Sequence, residues 1–346
     1  MYSVKQRINN IKQPRGGYIK LKDFVKFDLD DGKTLNEKEN IYPNLIGIAV
    51  DYLTRLMIGE KKEDAFRISL KGAKNINSEE YANILLSDIN GLDDKSILNT
   101  CKLVGYDVCA RAGIQGYRDV KEIVADKDTI ENIRIMVERS VNFFEKYGPI
   151  VKLGFTFEGG YTDLVSSGDG DFLTQDALWD FKVSKNDPNR ARDTLQILMY
   201  YIMGCHSVHE EFNNIKKIGF FNPRKNKIYY LDVDKIDKNI IEEVSKEVIG
   251  YGKTENEINK IIDIQMHNLI KNIFEKKIQR DIRIKNDFKD YGEDIVLTIG
   301  KEVYHEKYKL GKIIEICKFE GKNAVVVKFK SGVEKKIAVE YLKYHK

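Results

Sequence analysis

The sequence predicts an α/β protein with a mainly helical N-terminal region and a small all-β barrel at its C-terminal end. Three observations predict it. Apolar residues recur at helical spacing through much of the first 150 residues. Between 150 and 235 the pattern switches to short alternating runs, broken once by a helical stretch. Beyond 297 only short apolar runs remain, punctuated by Gly300, Gly311, Gly321 and Gly332. These shifts divide the chain into segments 1–128, 129–235, 236–296 and 297–346.

Residues 1–40 are polar, with Pro14, Gly16 and Gly17. After Tyr42-Pro43-Asn44, the stripe Leu45, Ile48, Ala49, Tyr52, Leu53, Leu56 and Met57 predicts an amphipathic helix. Residues 78–90 and 94–110 read as two more helices, each with a Ser or Asp near its start. Ile130, Ile133, Val137, Val141 and Phe144 place another helix over 129–147, ended by Gly148-Pro149. Then the order becomes three strands, a helix over Arg190–Met203, and two strands joined by the turn NPRKNK. From Ile236 to about Asn286 the chain returns to helix. Its stripe of Ile258, Ile261, Ile262, Met266, Leu269, Ile270 and Ile273 suits an arm that packs on the body or on a partner.

The chemistry concentrates in GDGDFLTQDALWDFK, Gly168 to Lys182. It reads as a hairpin with a two-residue loop at Gln175-Asp176. That register sets Phe172 opposite Trp179 and Asp171 opposite Asp180. Side chains alternate, so Asp180 and Lys182 share one face, while Trp179, Phe181 and Val183 share the other. Two carboxylates that close repel unless a cation or a proton intervenes. Mg²⁺ prefers such oxygen ligands, completed by water and phosphate. A lone Asp-x-Lys is most often an ordinary surface pair; the second Asp at the facing position separates this one from that reading.

Composition limits the alternatives. The 346 residues are 42% hydrophobic and 32% charged, and no apolar run reaches the length of about 18 residues that a membrane-spanning helix needs. The N-terminal stretch lacks the apolar core of a secretory signal. Cys101, Cys109, Cys205 and Cys317 form no C-x-x-C pair, which suits free thiols in a reducing cytoplasm. Cys205 with His206 and His209 lacks a second cysteine pair, so a zinc site is not expected. The net charge is +4, but residues 300–346 carry 12 Lys against six Asp and Glu. That basic end suits a polyanionic partner.

The helix after the hairpin places Gln196 and Tyr200 four residues apart, on one face. In order, Gly168-x-x-Asp171, Asp180-Phe181-Lys182 and Gln196-x-x-x-Tyr200 resemble the PD-(D/E)XK nuclease superfamily, in its RecB-type branch, over about residues 130–235. Gly170 rather than Pro precedes Asp171, a departure that fits the G-x-x-D favoured in that branch. The resemblance implies a restriction-endonuclease-like core that hydrolyses DNA phosphodiester bonds. It implies that Asp171, Asp180 and the backbone carbonyl of Phe181 hold Mg²⁺ or Mn²⁺. Lys182 would position the attacking water, and Gln196 and Tyr200 would brace the site or touch the strand. A further ligand on the preceding helix is common in such proteins; Glu138 is the first candidate and Glu145 the second, with Glu158 on the first strand as a third. Many relatives hold an iron–sulfur cluster on one upstream and three downstream cysteines. Only Cys205 and Cys317 lie downstream here, so no cluster is expected.

Val303-x-His305-x-x-Tyr308-x-x-Gly311-x-Ile313, followed by AVVVKF and Gly332, resembles the Tudor-like barrel that ends UvrD-type helicases. It implies a docking module for a helicase, another protein or nucleic acid. The expected activity is a metal-dependent DNA nuclease, in anti-phage defence or in DNA repair and recombination. The alternatives are a nuclease-fold protein that binds without cutting, and a scaffold subunit of a larger complex.

Overall fold

The computed structural model describes residues 1–189, 191–264, 299–319 and 322–344. The chain divides into two compact units, Met1–Ile262 and Asp263–Lys346.

The first unit is built on a six-stranded sheet. Its strands are β1 (Val25–Asp28), β2 (Ile150–Phe155), β3 (Gly170–Thr174), β4 (Ala177–Phe181), β5 (Lys217–Asn222) and β6 (Lys227–Asp232). Their order across the sheet is β1-β6-β5-β4-β3-β2. Every neighbouring pair is antiparallel except β4 and β5. Three helices frame the sheet: α1 (Pro43–Met57), α2 (Lys127–Tyr147) and α3 (Arg192–Cys205). Parallel strands cannot be joined by a tight turn, and α3 supplies the crossover between β4 and β5.

Each helix has a local reason to start where it does. Pro43 occupies the first turn of α1, where its missing N–H costs nothing. The Asp126 side chain caps α2 by accepting from Thr129 N–H. The two faces of the sheet then take different partners. Phe172, Trp179, Phe181 and Phe221 form an aromatic layer with Phe143 and Phe144 of α2. Phe143 lies edge-on to Trp179 at 5.0 Å and stacks on Phe221 at 4.3 Å. The opposite face presents Leu173, Leu178, Ile218 and Phe220 to Leu195, Leu198 and Met199 of α3. Gly219 makes room for this arrangement: a Cβ there would stand 2.6 Å from the Trp179 ring and 2.5 Å from the Tyr229 carbonyl oxygen.

The first unit departs from the sequence expectation in four places. The polar N-terminal stretch contains β1, which pairs with β6 at the sheet edge with all four residues exposed. The helix expected over 94–110 is three pieces: Asp94–Leu103, a tight turn at Val104–Tyr106, and Asp107–Arg111. Gly105 lies in that turn, pressed so close to Val120 and Ile123 that a Cβ would meet each at 2.8 Å. The helical continuation after 236 is broken at Gly250, whose φ of +97° favours glycine, before resuming over residues 255–264. Finally, segments 1–128, 129–235 and the described start of 236–296 share one unit. Val4 and Ile8, together with Val244, Val248, Ile249 and Ile258, enter the same apolar core as α3. The remainder of the expected arm, with Met266, Leu269, Ile270 and Ile273, lies outside the described residues.

The second unit contains a five-stranded antiparallel sheet. Its strands are β7 (Glu302–His305), β8 (Lys309–Phe319), β9 (Lys322–Phe329), β10 (Glu334–Ala338) and β11 (Lys343–Tyr344), in the order β10-β9-β8-β7-β11. Val303, Ile313, Val325, Val327, Phe329, Ile337 and Leu342 form its core. Among the described residues β10 and β11 are not paired, so the hydrogen-bonded ladder is an open sheet rather than a closed barrel. Across the described residues, no helix is long and apolar enough to cross a membrane.

Candidate active site

The hairpin has the expected register. Phe172 pairs with Trp179 and Leu173 with Leu178 across a loop at Gln175-Asp176. Asp171 and Asp180 are the next residues along the two strands beyond the recorded Phe172–Trp179 pair. Trp179 fixes the turn from behind, its Nε1–H donating to Thr174 Oγ1 at 3.1 Å. Asp171 Oδ2 accepts from the Phe181 N–H at 2.9 Å. This bond ties the end of one strand to the other where regular pairing stops. Asp180 and Lys182 emerge on the α3 side, and Phe181 enters the aromatic layer.

Helix α3 closes the constellation. Lys182 Nζ is 2.6 Å from Asp180 Oδ2, donates to Gln196 Oε1 at 3.2 Å, and lies 3.9 Å from Asp193 Oδ1. Gln196 Nε2 donates to Asp180 Oδ1 at 3.3 Å and to the Tyr200 hydroxyl at 3.0 Å. Asp193, Gln196 and Tyr200 follow one another at i, i+3 and i+7, so one face of α3 delivers all three. Tyr200 is buried, with its ring 5.0 Å from Phe157. It therefore braces the amide of Gln196.

The electrostatics are those of a site short of positive charge. Burial raises the carboxyl pKa of Asp171, and the charges of Asp180 and Asp51 raise it further. Burial also raises Asp180, against the pull of Lys182. Desolvation would lower Lys182, but Asp180 and Asp193 outweigh it and raise its pKa, so it stays an ammonium at neutral pH. Asp180 Oδ2 is paired with the Lys182 ammonium at 2.6 Å. One ammonium thus stands against two buried carboxylates, Asp171 and Asp180, both of which burial disfavours as anions. Hard oxygen donors in this state fit a divalent cation such as Mg²⁺ or Mn²⁺. Asp171 and Asp180 are the residues that would hold it. Among the described residues no group of three or more His, Cys, Asp and Glu side chains is arranged to hold a metal ion.

The three glutamates considered as a further ligand do not join the site. Glu138 lies on α2, which packs on the aromatic face of the sheet, and pairs with Lys33. Glu145 is on the same helix and is exposed. Glu158 lies past the end of β2, exposed, where it accepts from Thr156 Oγ1 and faces His209 Nε2 at 3.6 Å. The acidic groups whose charges reach the centre are Asp51 on α1 and Asp193 on α3. Asp51 is held by Arg55 through bonds of 3.0 and 3.2 Å, and the Arg55 guanidinium lies 5.5 Å from the Phe172 ring centroid. The sequence signals were available: Asp51 and Arg55 are an i,i+4 pair on an amphipathic helix, and Asp193 precedes Gln196 by one turn. His206 stacks on Tyr251 at 4.0 Å, and His209 bonds the Thr156 carbonyl at 2.8 Å. Those two rings and Cys205 thus serve separate contacts.

Comparison with known proteins adds no relative: no family model, no curated protein and no solved structure matches the chain.

Proposed function

We propose that this chain is a metal-dependent deoxyribonuclease of the PD-(D/E)XK type, hydrolysing phosphodiester bonds at Asp171, Asp180 and Lys182. One observation carries the reading. Lys182 is shared between Asp180 at 2.6 Å and Gln196 at 3.2 Å, with Asp171 on the neighbouring strand bonded to the Phe181 N–H between them at 2.9 Å. An ordinary surface Asp–Lys pair has no buried glutamine and tyrosine holding it.

Hydrolysis needs a water aimed at phosphorus, stabilisation of charge on the phosphoryl oxygens, and exit of the leaving oxygen. A bound Mg²⁺ or Mn²⁺ would supply Lewis acidity for the phosphate and for the attacking water. Lys182, kept as an ammonium, donates hydrogen bonds to the water or to a non-bridging phosphoryl oxygen. It does not serve as the proton acceptor. Gln196 sets the direction of that ammonium, and Tyr200 sets Gln196. The lysine excess of residues 300–346 supports a role for the second unit in holding nucleic acid or a protein partner, with salt-dependent affinity.

The test is cleavage of end-labelled linear DNA and closed circular DNA with Mg²⁺ or Mn²⁺. Wild type is expected to cut, and Asp180→Ala and Lys182→Ala to lose roughly 10²-fold or more of the rate. Equal cutting by all three proteins would remove these residues from the mechanism. Tight DNA binding without cutting by wild type would favour the catalytically silent alternative.

A further inference from the structure

The N-terminal segment is built into the wall of this site. Tyr2 and Ser3 pair in parallel with Val165 and Ser167 on the run that leads into Asp171. Ser3 and Gln6 cap the following turn reciprocally, Ser3 Oγ accepting from the Gln6 N–H and Gln6 Oε1 from the Ser3 N–H. Val4 and Ile8 are buried in the core shared with α3. Gly168 is wedged between this segment and the site: a Cβ there would stand 2.9 Å from Val4 Cγ2 and 3.2 Å from Tyr200 Cε1. Arg7 locks the arrangement from behind. It is buried and donates to the carbonyls of Val248 at 2.8 Å and Glu247 at 2.7 Å.

Lys5 stands next to these anchors and is exposed. Among the described residues it has no ion pair within 4.0 Å, and it directly follows Val4, which packs against Gly168 beside the Tyr200 ring. An exposed ammonium on a rigid mount, beside an acidic centre and without a protein partner of its own, is placed for an anion that arrives with the substrate. Nucleic-acid strands bring one such anion per nucleotide.

We propose that Lys5 is a substrate-binding residue that engages a backbone phosphate of the nucleic-acid strand at the Asp171–Asp180–Lys182 centre. This rests on the nuclease reading and adds a contact from outside the hairpin and helix. The contact is with phosphate rather than base, so it contributes affinity and register without sequence preference.

The test compares wild type with Lys5→Ala, Lys5→Arg and Lys5→Glu in the full chain. The probe is a fluorescently labelled DNA strand held with Ca²⁺ to permit binding, followed by steady-state cleavage with Mg²⁺. Lys5→Ala is expected to weaken binding roughly 3- to 10-fold and to lower the slope of log affinity against log salt by about 0.7–0.9. KM should rise more than kcat falls. Lys5→Arg should restore both, and Lys5→Glu should be weaker than Lys5→Ala. Equal melting temperatures would show the mount intact, since the side chain is exposed. A wild type that cuts, beside a Lys5→Ala variant with unchanged affinity and salt slope, overturns the Lys5 assignment and leaves the nuclease reading standing. A wild type that neither binds nor cuts overturns both.

Discussion

Replacing Asp171 with Asn should make the metal-free protein more stable while removing the proposed nuclease activity. Asp171 is held in protein beside Asp180, and its pKa is pushed up from 3.8 to about 7. A raised carboxyl pKa in the folded state means that ionisation opposes folding. The stability associated with this group is complete below its unfolded pKa and is lost as pH rises toward 7. At about 1.4 kcal/mol per unit the loss has an upper bound of roughly 4 kcal/mol. Asp171 keeps some solvent contact and shares its charge state with Asp180, so about 1–3 kcal/mol is the working figure. Asn cannot ionise, and its side-chain oxygen can still accept from Phe181 N–H. For a unit of this size the gain corresponds to about 2–10 °C in melting temperature. The assay is thermal unfolding in EDTA at pH 4.5, 6 and 8. The advantage of Asp171→Asn should grow between about pH 4 and pH 7 and then level off. A variant less stable than wild type at pH 8, or an advantage independent of pH, would refute the charge-repulsion account.

Three further outcomes follow from the same geometry. Mn²⁺ at roughly 100 times its dissociation constant should stabilise the wild type by about 2.7 kcal/mol at pH 8 and by less at pH 5.5, read as a rise in melting temperature, and the Asp171→Asn shift should be far smaller. Arg55→Met leaves Asp51 without its cation beside Asp171, and should cost about 2–3 kcal/mol at pH 8 in denaturant titration. Gly219→Ala drives a methyl into the Trp179 ring and the Tyr229 carbonyl, and should cost about 1–3 kcal/mol with reduced tryptophan anisotropy.

Parts of this fold were legible in the sequence because local chemistry decides them. Gln175-Asp176 between alternating runs specifies a hairpin, and the hairpin specifies which carboxylates face. The four-residue spacing of Gln196 and Tyr200 on a helix is similarly local. The parts that were not legible depend on distant segments. Val25 and Phe27 alternate with Lys26 and Asp28, yet nothing nearby says that they pair with Tyr230 and Ile228, some 200 positions on. Glu138 is a candidate from the sequence because it lies on the helix before the strands. Phe143 and Phe144 take that helix to the aromatic face, away from the acids. Nothing local distinguishes Asp51 from other polar residues on an amphipathic helix; only the packing of α1 brings its charge to Asp171. The two-unit division was obscured for a related reason: residues near position 5 and near position 250 complete one core.

The anchoring of Arg7 sets a schedule for synthesis. Its partner carbonyl on Val248 lies 241 residues later in the chain. At a translation rate of about 5–20 residues per second, Arg7 waits roughly 10–50 s for that partner to be made. Asp171, Asp180 and Gln196 are all translated within that interval. A ribosome-bound chain can thus pair Tyr2 and Ser3 with Val165 and Ser167 before the Arg7 bonds that complete the fastening are made. The Arg7 lock is therefore expected to close late, after most of the first unit has been made.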